Sequence, residues 1–152
     1  MRLFFTLSLF VGTSLLLSAQ NRLEGLWEGS ITLDGIHSPN EHRFQMLLRY
    51  KDGGVTGRSY IYLKNGEIIE MKIKGRLFDD WSLSIYDIEF LPIAGSDFKP
   101  PFKRKYQLLY QTSIWETTLN GYWQEVREEA LDPKRELGRI TLRKLPQVAA
   151  KP

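Results

Sequence analysis

The segment Ile68-Ile69-Glu70-Met71-Lys72-Ile73-Lys74-Gly75-Arg76-Leu77 decides how this chain reads. Ile69, Met71, Ile73, Gly75 and Leu77 fall on one parity, while Glu70, Lys72, Lys74 and Arg76 fall on the other. A period of two belongs to a β-strand, whose successive side chains point to opposite faces. The segment therefore has one dry face and one wet face. Coiled as a helix, it would spread the same charges around the whole axis.

Working outward, the alternation recurs in seven other segments. The first carries Trp27, Gly29, Ile31 and Leu33; the second Phe44, Met46, Leu48 and Tyr50 against Gln45 and Arg49. The third carries Val55, Gly57, Ser59, Ile61 and Leu63. The fifth, residues 82–90, starts with Leu83 and Ile85 inward and then switches to Ile88 and Phe90, which predicts a bulge near Tyr86-Asp87. The sixth carries Tyr106, Leu108 and Tyr110, the seventh Leu119, Gly121 and Trp123, and the eighth Ile140 and Leu142 against Arg139, Thr141 and Arg143.

The connections agree. Asn65-Gly66 predicts a type I′ hairpin turn between the third and fourth segments, because that turn needs positive φ at both centres. Asp52-Gly53-Gly54 and Asp79-Asp80 mark two further tight turns. Residues 34–42, 91–102 and 125–136 form longer connections, and the last, rich in charge, has room for one helical turn before Asp132-Pro133. Eight short, hairpin-linked segments predict an all-β fold: an antiparallel up-and-down barrel, whose closure removes exposed edges. A β-sandwich is the alternative, and it needs long crossing connections that are few here.

The chain has 152 residues, no cysteine and a formal net charge of +3. Residues 1–19 read as a secretory signal: Arg2 is positive, residues 3–17 are apolar, and Ala19 precedes a break at Gln20. The apolar run is shorter than the roughly 20 residues of a spanning helix, so no transmembrane segment is expected in the mature protein. Residues 20–152 then form one domain with its core in 24–145. Without disulfides its stability comes from packing, and a bacterial periplasm or exterior is the expected compartment. The cation surplus is too thin for a nucleic-acid footprint.

Four strands place a glycine on the apolar parity, at Gly29, Gly57, Gly75 and Gly121. These predict either sharp bends packed by large rings or room for a guest. Gly25-Leu26-Trp27 opens the first strand, and there the chain resembles the calycin group of lipocalins, with a weaker avidin-like resemblance. The resemblance implies that Trp27 closes the barrel floor under a basic residue of the last strand, Arg139 or Arg143. It also implies a cup for a small, largely apolar molecule. The Thr-Asp-Tyr motif of lipocalins is missing.

The expected ligand-lining residues are Trp27, Phe44, Met46, Met71, Tyr106 and Trp123, all on the apolar parity. No catalytic constellation, cofactor motif or metal-ligand spacing is evident: His37, Glu41 and His42 share one loop without a third-ligand pattern, and Gly-x-Ser-x-Gly does not occur. Asp87 lies near the inward parity, where a carboxylate would titrate high, although a bulge facing water or a nearby cation is the commoner setting. Tyr60, Tyr62 and Tyr122 sit on the wet parity and, with the charged 125–136 loop, point to an alternative: an envelope-associated interaction or structural module using its outer strands.

Overall fold

A computed structural model describes residues 22–129 and 132–146; the signal peptide expected at residues 1–19 lies outside the described residues. The strands are β1 (Gly25–Thr32), β2 (Glu41–Lys51), β3 (Gly54–Tyr62), β4 (Ile68–Leu77), β5 (Ser82–Phe90), β6 (Arg104–Thr112), β7 (Thr117–Glu125) and β8 (Leu137–Lys144). Each pairs antiparallel with its neighbour in the chain, and β1 pairs with β8, so the sheet closes into an eight-stranded up-and-down barrel. The alternation read from the sequence sets which side chains face in. Phe44, Met46 and Leu48 of β2, Ile69, Met71 and Ile73 of β4, and Tyr106 and Leu108 of β6 are all buried. Each such side chain stabilises the fold by roughly 1.5–3 kcal/mol relative to exposure.

Closing so small a sheet requires strands to bend hard against one another. A Cβ at Gly29 would collide with the Thr141 carbonyl, and one at Gly138 would collide with both the Thr32 carbonyl and Trp123 Nε1. The missing side chains are thus filled by neighbouring backbone; they do not hold space for a guest.

Three local expectations change in the structure. The two-residue hairpin turn with positive φ at both centres is Asp52-Gly53 (φ 51° and 82°), not Asn65-Gly66. At the latter only Gly66 is left-handed, the turn is closed by Gly66 N–H to the Leu63 carbonyl, and Asn65 Oδ1 accepts from the Glu67 N–H. The bulge of β5 falls at Ile88: Glu89 pairs with Lys72 and Asp87 with Ile73, which leaves Ile88 as the extra residue. Consequently Ile88 points out, at 44% exposure, and Asp87 points in. Finally, the described part of the 125–136 loop has no helical turn; an ion-pair cluster of Glu125, Arg127 and Asp132 shapes it instead.

The up-and-down order makes the two ends unlike. All three long connections, β1–β2, β5–β6 and β7–β8, lie at one end. The short β2–β3, β4–β5 and β6–β7 turns lie at the other, where the chain enters at the fully buried Leu23. Gly29→Ala is expected to lower stability by more than about 2 kcal/mol, because a backbone carbonyl cannot move aside as a side-chain tip can. Urea unfolding measures it, with Ser30→Ala on the opposite parity as the control. An unchanged midpoint for Gly29→Ala would mean that the strands part freely at this seam.

Candidate functional site

The short-turn end is sealed. The indole of Trp27 donates from Nε1 to the Leu23 carbonyl at 2.9 Å and meets Tyr110 edge-on, with ring centroids 6.2 Å apart. Tyr110 in turn packs against Trp81 at 5.2 Å. The cation over Trp27 is Lys144, with Nζ 6.0 Å from the ring centroid. Neither Arg139 nor Arg143 takes that place, because both lie on the outward parity of β8: Arg139 pairs with Glu41 and Arg143 with Glu116. Gly25 has φ +125°, a backbone conformation that favours glycine, and a Cβ there would lie in contact with Lys144 Cε at 3.4 Å.

Toward the long-loop end the interior turns polar. Asp87 is only 5% exposed and faces inward beside the start of β6. Its Oδ2 accepts from the Arg104 N–H at 2.9 Å, and its Oδ1 accepts from the Tyr106 hydroxyl at 2.9 Å. The carboxylate thereby continues the β5–β6 ladder past its last backbone pair, Tyr86 with Lys105. Ser59, fully buried on β3, sets its hydroxyl beside the same phenol. Arg104, 3% exposed, sets its guanidinium over the rings of Trp123 (4.7 Å) and Phe102 (4.9 Å). Its Nε and Nη1 are buried without a hydrogen-bond partner among the described residues.

Burial pushes the Asp87 carboxyl up to about 6, against the opposing pull of the Arg104 N–H, the Arg104 charge and the Tyr106 hydroxyl. Burial also holds the Tyr106 phenol well above its ordinary value, helped by the Asp87 charge, so it remains a proton donor. Nearby, Glu125 is held low by Arg127, whose Nε lies 2.9 Å from its Oε1, while its Oε2 accepts from the Glu136 N–H at 3.1 Å. That carboxylate is already engaged.

The six residues expected to line a pocket are all buried on the inner face. Five surround the polar cluster. Phe44 stacks on Tyr106 with centroids 6.0 Å apart; Met46 and Met71 flank Ser59 in register; Trp123 lies under Arg104 and anchors its own Nε1 on the Thr32 carbonyl at 2.7 Å. Trp27 belongs to the sealed end. Sequence reasoning missed Ser59 and Arg104 as site residues and favoured a solvated Asp87. The signal for Arg104 was present: it shares the parity of Tyr106, Leu108 and Tyr110, two residues before the point where the segment was read to begin.

Outside the barrel, the tyrosines expected to form a row do not: Tyr60 and Tyr62 lie on β3 and Tyr122 on β7, strands that are not neighbours. A groove of about 500 Å³ runs across the outer face of β5 to β8, with exposed Phe78, Leu109 and Tyr122 among its walls. Among the described residues, no three His, Asp or Glu side chains converge as a metal cage, and no helix is long and apolar enough to cross a membrane. No protein-family model, curated protein or solved structure matches the chain.

The raised Asp87 pKa has a definite stability sign. Between the ordinary value of 3.8 and about 6 the folded state binds the proton that the unfolded state has released. Asp87's contribution is thus most favourable below that window and is lost as pH rises through it. A rise of about two units corresponds to about 3 kcal/mol. The stability of wild type relative to Asp87→Asn is therefore expected to fall by this order from pH 4 to pH 7, by urea unfolding across that range. Parallel curves would mean that Asp87 titrates normally.

Proposed function

We propose that this protein is an exported, non-enzymatic, lipocalin-like barrel that takes one small hydrophobic or amphipathic molecule into its interior. One observation carries the reading: within a barrel whose interior is mostly apolar, Arg104 Nε and Nη1 are cut off from water and unpaired among the described residues. Buried polar groups are normally hydrogen-bonded, and each one left unmet costs about 1–3 kcal/mol. A guest with a polar head and an apolar body meets both needs at once. Phe44, Met46, Met71, Tyr106 and Trp123 would surround it, with Trp27 as the floor. Two of these are methionines, whose unbranched side chains repack around a guest more readily than branched ones.

The Gly25-Trp27-Lys144 arrangement supports the lipocalin-like comparison, since it places a last-strand cation over a first-strand tryptophan. Export rests on the signal-like residues 1–19 and fits a domain without cysteine. Native mass spectrometry and thermal shift on the purified protein, mixed with bacterial envelope lipid extract, test the proposal. The expected result is one bound small molecule per chain and a melting temperature raised by a few degrees. An unchanged mass and melting temperature across extracts would remove the guest.

A second reading has its own observation, the outer groove with exposed Phe78, Leu109 and Tyr122. Surface apolar side chains gathered in a hollow mark interaction sites. If a protein partner occupies it, Leu109→Asp abolishes capture of that partner and leaves small-molecule binding untouched.

A further inference from the structure

Resting on that reading, we infer that the guest carries a negatively charged head, a carboxylate or its equivalent, received by the buried guanidinium of Arg104. Arginine is donor-only: every hydrogen on Nε and Nη1 needs an acceptor. The aromatic contacts with Trp123 and Phe102 engage the face of the cation and leave its N–H edges unmet. Asp87 does not meet them as placed: its oxygens accept from the Arg104 backbone N–H and the Tyr106 hydroxyl, and no hydrogen bond joins it to Nε or Nη1 of the guanidinium. The acceptor must come from elsewhere, and an anion is the strongest one for a guanidinium.

The local charge agrees. Arg104 is the buried cation of this end, burial disfavours the charged form of Asp87 beside it, and Glu125 is already held by Arg127. An anionic head would compensate the guanidinium in a setting where uncompensated charge is expensive. Ser59 Oγ lies beside the phenol of Tyr106, two residues along β6 from Arg104, and adds a polar group to the same interior row. The apolar remainder of the guest then lies along Met46, Met71 and Phe44, which border this row. The arrangement assigns orientation as well as class: head at the long-loop end, tail toward Trp27.

Isothermal titration calorimetry of the purified protein at neutral pH with four matched probes tests this: decanoate, decane-1-sulfonate, 1-decanol and decyltrimethylammonium. Wild type is expected to bind both anions at least about tenfold more tightly than decanol, and the cation more weakly than decanol. Arg104→Gln is expected to bring decanoate to the decanol level with decanol binding retained, and Arg104→Lys to keep a reduced anion preference. The wild-type series stands alone should Arg104→Gln unfold. Decanol binding as tightly as decanoate to wild type would overturn the head-group assignment and leave the amphiphile reading intact. So would an anion preference that survives in folded Arg104→Gln. If none of the four binds, the amphiphile reading falls and takes this inference with it.

Discussion

The pairing of β1 with β8 is the constraint on which everything else rests. Once that seam is made, the sheet has no edge and the inner parity of all eight strands faces one narrow, dry space. A side chain there must be apolar or find a bonding partner within reach. The close approach at Gly29 and Gly138 is the local condition for the seam, since it lets β8 backbone lie against β1 and the residues that follow it. Trp123 reinforces it across the barrel by bonding the Thr32 carbonyl, while Thr32 Oγ1 accepts from the Arg139 N–H at 2.8 Å.

The same closure explains why the two ends differ. At the entry end, Leu23, Trp27, Tyr110 and Trp81 stack into a plug in which the Trp27 N–H is satisfied by the Leu23 carbonyl. Trp81 holds φ at +64°, a conformation that bulky residues rarely adopt. Its ring packs on Tyr110 and its carbonyl accepts from the Tyr110 N–H, contacts that hold it there. At the opposite end the long connections bring Phe98 and Phe102 against the core, but the inner parity there includes Asp87, Arg104 and Glu125. One end is closed by packing and the other by charge.

Much of this was legible in the alternation of apolar and charged residues. Parity alone located all eight strands, because a half-buried strand cannot conceal which face is wet. It failed where a side chain breaks the rule its neighbours follow. Ile88 reads as core but is the extra residue of the bulge, so hydrophobicity misled there by one position and Asp87 took the inward place. Arg104 stands ahead of the sixth segment as read from the sequence, and only its spacing from Tyr106 marks it as inward. Asn65-Gly66 carries the composition of a type I′ turn, yet the side chain of Asn65 bonds forward to the Glu67 N–H and a longer loop results. Nor could parity show that Tyr60 and Tyr62 stand far from Tyr122, since distance around a closed sheet depends on strand order.

The polar cluster is hard to explain as a stabilising device. An apolar residue at position 104 would fill the same space without desolvating a cation, and an apolar residue at 87 would end the need for a counter-charge. Asp87 does end the β5–β6 ladder usefully by taking the Arg104 N–H, but a backbone carbonyl or water could do so without a raised pKa. What an apolar pair could not supply is a set of unmet donors, Arg104 Nε and Nη1, held in a dry site against the rings of Trp123 and Phe102. Such a set is fixed in advance, so an incoming acceptor meets groups that need little reordering to bind it. On the function proposed above, the cost in stability would fall on the unliganded barrel and a guest would remove it. Binding and folding would then be coupled through Arg104, the guest stabilising the structure that holds it.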